Sequence, residues 1–137
     1  MQQNFRMIDV GEKEITRRRA VACGSITVCT KTMKMIREGN SPKGNILAMA
    51  EVAGIMAAKN TSQNLPLCHP LLIDSTRIWF DIHEHSVTAY CEVICHGKTG
   101  VEMEALFGLN TCLLTIYDLA KAVDPVIEIA NIFLQTK

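Results

Sequence analysis

The chain has 137 residues, 48% of them hydrophobic, which suits one domain with a single buried core and argues against two full domains. Fourteen Lys and Arg balance fourteen Asp and Glu, so the long-range field that draws proteins to nucleic acid or anionic membranes is missing. No stretch approaches the roughly 18 apolar residues of a membrane-spanning helix, and the opening MQQNFRMIDV lacks the apolar middle of a signal peptide, so a cytoplasmic protein with six reduced cysteines is expected.

In chain order, residues 1–19 read as a polar N-terminal arm, most strongly charged from Asp9 to Arg19, and the β-branched and small residues of Ala20 to Val28 predict a first strand. Thr30 and Thr32 are candidate caps for a short helix carrying Met33, Met35 and Ile36, which Gly39-Asn40 and Pro42 would stop. Ile46, Leu47, Ala50, Ala53, Gly54 and Ala57 recur at helical spacing from Ile46 to Lys59, with Asn45 available as a cap. The many small residues of this helix predict close packing against a neighbour.

Beyond Leu65-Pro-Leu-Cys-His-Pro70, Ile78, Phe80 and Ile82 alternate with Arg77, Trp79, Asp81 and His83. A second alternating run sets Val87, Ala89, Cys91, Val93 and Cys95 against Thr88, Tyr90, Glu92 and Ile94, and His83 to Ser86 would join the two as a hairpin. Gly97-Lys-Thr-Gly100 breaks the pattern. Leu106, Leu109, Leu113, Ile116, Leu119 and Val123 then predict a helix from Glu104 to Val123, ended by Asp124-Pro125, and Val126 to Leu134 predicts a last strand. The order is strand, helix pair, strand, strand, helix, strand: a split βαβ pattern with one extra helix, hence an α+β sandwich with its helices on one face of an antiparallel sheet.

Several residues are candidates for chemistry. His69 sits in a loop stiffened by Pro66 and Pro70, where a rigidly held imidazole suits general acid/base work and a solvated side chain is the plainer reading. Cys68 reads more readily as a small buried hydrophobe than as a nucleophile. Glu102 and Glu104 flank Met103; in an extended backbone they would point the same way and share a proton or a substrate, whereas in a helix they would be acids of the first turn. Asp118 and Lys121, three apart, lie on one helix face, either as a surface ion pair or, given the apolar Tyr117, Leu119 and Ala120 around them, as a partly desolvated lysine of lowered basicity. Arg17-Arg-Arg19 and Lys43 within Ser41-Pro-Lys-Gly44 are by default solvated, and would serve as clamps for a phosphorylated ligand. Cys91, Cys95 and His96 with Cys68-His69 do not match the spacing of a structural zinc site, and Cys91 and Cys95 fall on the core face of a strand.

The runs Met7-Ile-Asp-Val10, Thr16-Arg-Arg-Arg-Ala20, Ala53-Gly-Ile-Met-Ala-Ala-Lys59, Leu65-Pro-Leu-Cys-His-Pro-Leu71, Gly97-Lys-Thr-Gly-Val-Glu-Met-Glu-Ala-Leu106 and Leu114-Thr-Ile-Tyr-Asp-Leu-Ala-Lys-Ala-Val-Asp124 carry a resemblance over nearly the whole chain. Here the sequence resembles the molybdenum-cofactor biosynthesis protein C family, whose members are cyclic pyranopterin monophosphate synthases. The resemblance implies a ferredoxin-like subunit in a homohexamer, a trimer of dimers with active sites at the dimer interface. The implied reaction converts 3′,8-cyclo-7,8-dihydro-GTP to cyclic pyranopterin monophosphate with release of pyrophosphate, without a redox step and without an organic cofactor. Magnesium would accompany the substrate triphosphate.

By the same resemblance, Asp118, Lys121 and His69 take catalytic roles, and Lys43, Arg18, Cys68, Glu102, Met103 and Glu104 bind substrate, with Arg18 reaching the triphosphate from a neighbouring subunit. Met49 to Val52 and Asn60 depart from the family's usual pattern at places where basic residues are common, and Phe107 opens a bulkier run than usual. These departures motivate a competing reading, a non-catalytic oligomer of the same fold that binds a nucleotide or a protein partner. A zinc module built from Cys68, His69, Cys91 and Cys95 is a third.

Overall fold

The computed structural model describes residues 4–137, so Met1, Gln2 and Gln3 of the expected arm lie outside the described residues. In chain order the elements are β1 (Thr16–Thr27), α1 (Thr30–Glu38), α2 (Ile46–Lys59), α3 (Thr61–Asn64), β2 (Ile73–Ile82), β3 (Ser86–Gly97), α4 (Glu102–Ala120) and β4 (Glu128–Thr136). The four strands form one sheet in the order β2-β3-β1-β4 with every neighbouring pair antiparallel. Helices α2 and α4 pack against each other and lie on the sheet, giving the expected split βαβ sandwich. None of the helices among the described residues is long and apolar enough to cross a membrane.

The period-2 pattern of β3 decides which sheet face is covered: Val87, Ala89, Cys91, Val93 and Cys95 are all fully buried. They meet Ala20, Ala22 and Ile26 of β1 and Leu109, Leu113 and Ile116 of α4 in one core. All six cysteines are free, with Cys91 and Cys95 inside that core.

β1 begins at Thr16, four residues before the expected Ala20, so the arm stops at residue 15 and Arg17 to Arg19 belong to a strand. Their charge does not oppose strand formation because β3 supplies both backbone and side-chain partners. Arg17 and Arg19 register with His96 and Ile94, and the Arg19 guanidinium lies 2.7 Å from Glu92. Neither Thr30 nor Thr32 caps α1. The cap position is Cys29, whose peptide N–H donates to Asp124 at 2.8 Å, while the Thr32 hydroxyl donates to the same carboxylate oxygen at 2.8 Å. Gly39, in the left-handed region with φ 67°, ends α1 as expected, and Asn45 caps α2 by accepting the Ala48 N–H at 2.9 Å.

Gly54 of α2 and Gly108 of α4 set the approach of the two helices. A Cβ at Gly54 would collide with Ile78 Cδ1 and stand 2.9 Å from the Gly108 carbonyl oxygen, a backbone atom that cannot turn aside. Gly54→Ala should therefore destabilise the protein by about 1–2 kcal/mol, the overpacking cost exceeding the roughly 1 kcal/mol gained in helix propensity. Denaturant titration at fixed protein concentration checks this, with the midpoint falling.

Candidate active site

Two groups of the candidate residues lie at opposite ends of α4. At its N-terminal end, the loop between α3 and β2 brings Cys68 against Glu104, with the thiol donating to Glu104 Oε2 over 3.6 Å. Glu104 is only 3% exposed, and its Oε1 has no hydrogen-bond partner among the described residues. Burial pushes its carboxyl above the ordinary glutamate value, opposed by its own peptide N–H and the Cys68 thiol and reinforced by the charge of Glu102. The Cys68 thiol is pushed up to about 11 by burial and by Glu104, which leaves it a proton-bearing group and not a thiolate at neutral pH.

Of the two readings of Glu102 and Glu104, the helical one holds: both are acids of the first turn of α4 and not a facing pair on an extended backbone. α4 starts at Glu102, two residues earlier than expected, so the two acids are about 200° apart around a helix instead of on one side of a strand. Glu102 folds back over Gly100, where a side chain would not fit, and Glu104 turns inward. Met103 stays exposed and, with Phe5, Leu65, Leu67 and Cys68, lines an apolar cavity of about 500 Å³.

Arg18 belongs to the same end. Its Nε and Nη2 donate to the carbonyls of Gly97 and Lys98 at 3.3 Å each, and its charge opposes that of Glu104 at the buried Cys95 thiol. His69 lies half-buried beside Cys68, its Nε2 2.7 Å from the Ile8 carbonyl oxygen. Sequence reasoning did not single out Lys59, which shares a cavity of about 460 Å³ with Ile55, Leu71, Asp74 and Thr76. The signal was its position as the last residue of α2, the end that lies beside the start of α4 in an antiparallel helix pair.

At the other end of α4, Lys121 Nζ and Asp118 Oδ1 are 2.8 Å apart, and the charge of Lys43 reaches Asp118. The two partners are 58% and 60% exposed, which overturns the expected desolvation of the lysine. On a helix, Leu119 and Ala120 point into the core while 118 and 121 face outward, so apolar neighbours in sequence do not shield the pair. The hydrogen bond to Asp118, with its charge, pushes the lysine up, and the same bond holds the aspartate below its ordinary value. Seventeen residues of helical rise place Lys121 about 25 Å from Glu104, so one chain does not bring the two groups together. Among the described residues, no group of three or more His, Cys, Asp or Glu is placed to hold a metal ion.

The raised carboxyl at Glu104 has a thermodynamic consequence. Because its folded value exceeds its unfolded one, its contribution to stability is present below the ordinary glutamate value and is lost as pH rises through the folded value. Glu104→Gln should therefore gain stability over the parent at neutral and higher pH, with the gain vanishing near pH 4. Thermal unfolding across that range provides the check.

The chain is thus a ferredoxin-like α+β sandwich whose candidate charged and acid/base groups lie at the two ends of one helix. The chain belongs to the MoaC family, whose model matches residues 7–137. It is 49% identical to the cyclic pyranopterin monophosphate synthase of Clostridium botulinum (strain Alaska E43 / Type E3), covering 98% of this chain and 86% of that protein. It is 47% identical to the cyclic pyranopterin monophosphate synthase of Thermoanaerobacter sp. (strain X514), covering 96% and 85%. A probable cyclic pyranopterin monophosphate synthase of Pyrococcus abyssi (strain GE5 / Orsay) is 46% identical, covering 90% and 77%.

Proposed function

We propose that the protein is a cyclic pyranopterin monophosphate synthase of molybdenum cofactor biosynthesis, converting 3′,8-cyclo-7,8-dihydro-GTP to cyclic pyranopterin monophosphate and pyrophosphate. The observation that carries this reading is the 49% identity, across 98% of the chain, to a relative of that name. The reaction is a lyase-type rearrangement without net oxidation. A ring opens by addition of water and recloses with loss of water, and pyrophosphate leaves as a sugar oxygen closes the cyclic phosphate on the remaining phosphorus. Incubation with the cyclised substrate, following pyrophosphate and pterin fluorescence, tests it; absence of both products at saturating substrate would instead favour the non-catalytic binding oligomer.

The site is composite. Lys121, Asp118 and Lys43 from one subunit face His69, Cys68, Met103, Glu102, Glu104 and Arg18 of another, in a homohexamer built as a trimer of dimers. Two features support the assembly: the roughly 25 Å between the two groups in one chain, and the exposed stripe Met49, Val52 and Met56 on the outer face of α2, continued by Leu114 on α4. Asp118 holds Lys121, which moves protons with His69, while Glu104 supplies a buried acid. Magnesium would arrive with the triphosphate, and the enzyme works in the cytoplasm.

Lys43 and Arg18 hold phosphate in ground state and transition state alike, so Lys43→Ala and Arg18→Ala should raise KM about tenfold while changing kcat little. Initial rates across substrate concentrations separate the two parameters. A collapse of kcat with unchanged KM would reassign them to the chemical step.

A further inference from the structure

The segment ahead of β1 is tied down by polar contacts. Lys98 Nζ donates to the Gly11 carbonyl at 3.2 Å, the Gly11 N–H donates to Asp9 Oδ1 at 2.8 Å, and the Lys13 N–H donates to the Val10 carbonyl at 3.0 Å. This turn sets Ile8 against the loop that carries His69. The Ile8 carbonyl oxygen reaches His69 Nε2 at 2.7 Å, and Arg6, Ile8, Val10, Leu67 and His69 frame a cavity of about 290 Å³.

A carbonyl oxygen only accepts hydrogen bonds, so at this distance the proton must sit on Nε2. The neutral ring then carries its free lone pair on Nδ1. We infer that the N-terminal segment is a positioning element: the Ile8 carbonyl locks His69 in the Nε2–H tautomer and makes Nδ1 the atom that exchanges a proton with the substrate. In the step this allows, Nδ1 takes a proton from a substrate hydroxyl or amine, the imidazolium keeps both N–H groups with Nε2–H still on Ile8, and Nδ1 returns the proton to a later intermediate. The ring ends as it began. The inference deepens the proposed function and rests on His69 working in that reaction.

The test compares the full chain with a variant lacking residues 1–8, which removes no part of β1. With histidine labelled at its ring nitrogens, and the His69 signals assigned by their loss in His69→Ala, NMR at a pH where the ring is neutral reads the tautomer directly. The full chain should show His69 almost wholly as Nε2–H. The truncated chain should show a mixture, its tautomer ratio lowered about three- to tenfold, the range of one ordinary net hydrogen bond. Its kcat/KM should fall, and truncation should add nothing in the His69→Ala background.

An Nδ1–H tautomer in the full chain, or the same ratio in both chains, would overturn the lock. A lost lock with unimpaired turnover would overturn its catalytic part. Should His69→Ala itself keep full turnover, the failure lies in the reading of His69 as a working residue, while the tautomer comparison still decides the lock.

Discussion

Replacing Lys121 by alanine should lower kcat by about 10²–10⁴-fold, the usual contribution of a positioned proton-transfer group, and leave the subunit folded. The side chain is 58% exposed at the end of α4 and, among the described residues, its one ion pair is with Asp118, so alanine should remove little packing. Lys121→Arg should fail as well. It restores the charge beside Asp118, but a guanidinium does not give up its proton near neutral pH.

The 2.8 Å bond to Asp118 sharpens the role, because it makes the lysine more basic than usual and the aspartate more acidic. The resting pair therefore favours its charged form, and on the proposed function Lys121 would enter the cycle as a proton donor, acting as a base only after it has delivered. Asp118→Ala removes the group that holds this proton, so the double variant should be little worse than the worse single one. A surface ion pair of no catalytic consequence predicts wild-type rates for all four variants.

The same residue tests the composite site. If Lys121 of one subunit works with His69 of another, a mixture of Lys121→Ala and His69→Ala chains, allowed to exchange subunits, should regain activity that neither has alone. Half of randomly formed dimers are mixed and each carries one intact site, so about a quarter of the sites recover. No recovery after demonstrated exchange would mean that each site is built within one chain.

What the sequence disclosed and what it withheld divide along the range of the interactions concerned. The alternation from Val87 to Cys95 predicts β3 and its buried face because a strand's facing depends only on neighbours two apart, and all five residues are buried. Asn45 is legible as a cap because its acceptor and the Ala48 N–H lie three residues apart. The pairing of Asp118 with Lys121 follows from helical spacing alone, but their exposure depends on which way the face turns, and that is fixed by Leu113, Ile116 and Ala120 packing on the sheet. Glu102 and Glu104 allowed two readings for a related reason. The glycines at 97 and 100 mark a break without saying where the helix resumes, and a two-residue shift in its start converts a facing pair into one outward and one buried acid. The hydrogen bond from His69 to Ile8 joins residues 61 apart through a backbone atom, so side-chain identity does not disclose it.

The longest-range of these contacts carries the largest expected effect on stability. Asp124 is 5% exposed and accepts from the Cys29 N–H at 2.8 Å and the Thr32 hydroxyl at 2.8 Å through Oδ2, and from the Val126 N–H at 2.9 Å through Oδ1. It thus caps α1, which has no side-chain cap of its own, and pins the turn after Lys121 to the end of β1. Asp124→Ala should cost about 3–5 kcal/mol, since three donors lose a charged acceptor and two of them are peptide groups with no local substitute. Asparagine should recover part of that, because its carbonyl can serve Cys29 and Thr32 while its amide faces the Val126 N–H unfavourably.

Burial pushes the Asp124 carboxyl up, yet the bonds from Cys29, Val126 and Thr32 outweigh it and hold the group below the ordinary aspartate value. A folded value lower than the unfolded one means that the unfolded chain binds more protons in acid. The stabilisation is therefore complete above about pH 4 and drains away as pH falls through the folded value. Denaturant midpoints measured from pH 7 down to pH 3 should converge for parent and Asp124→Asn as the parent carboxyl protonates. A gap that stays constant over that range would show that the carboxylate charge plays no part in holding α1 to the end of α4.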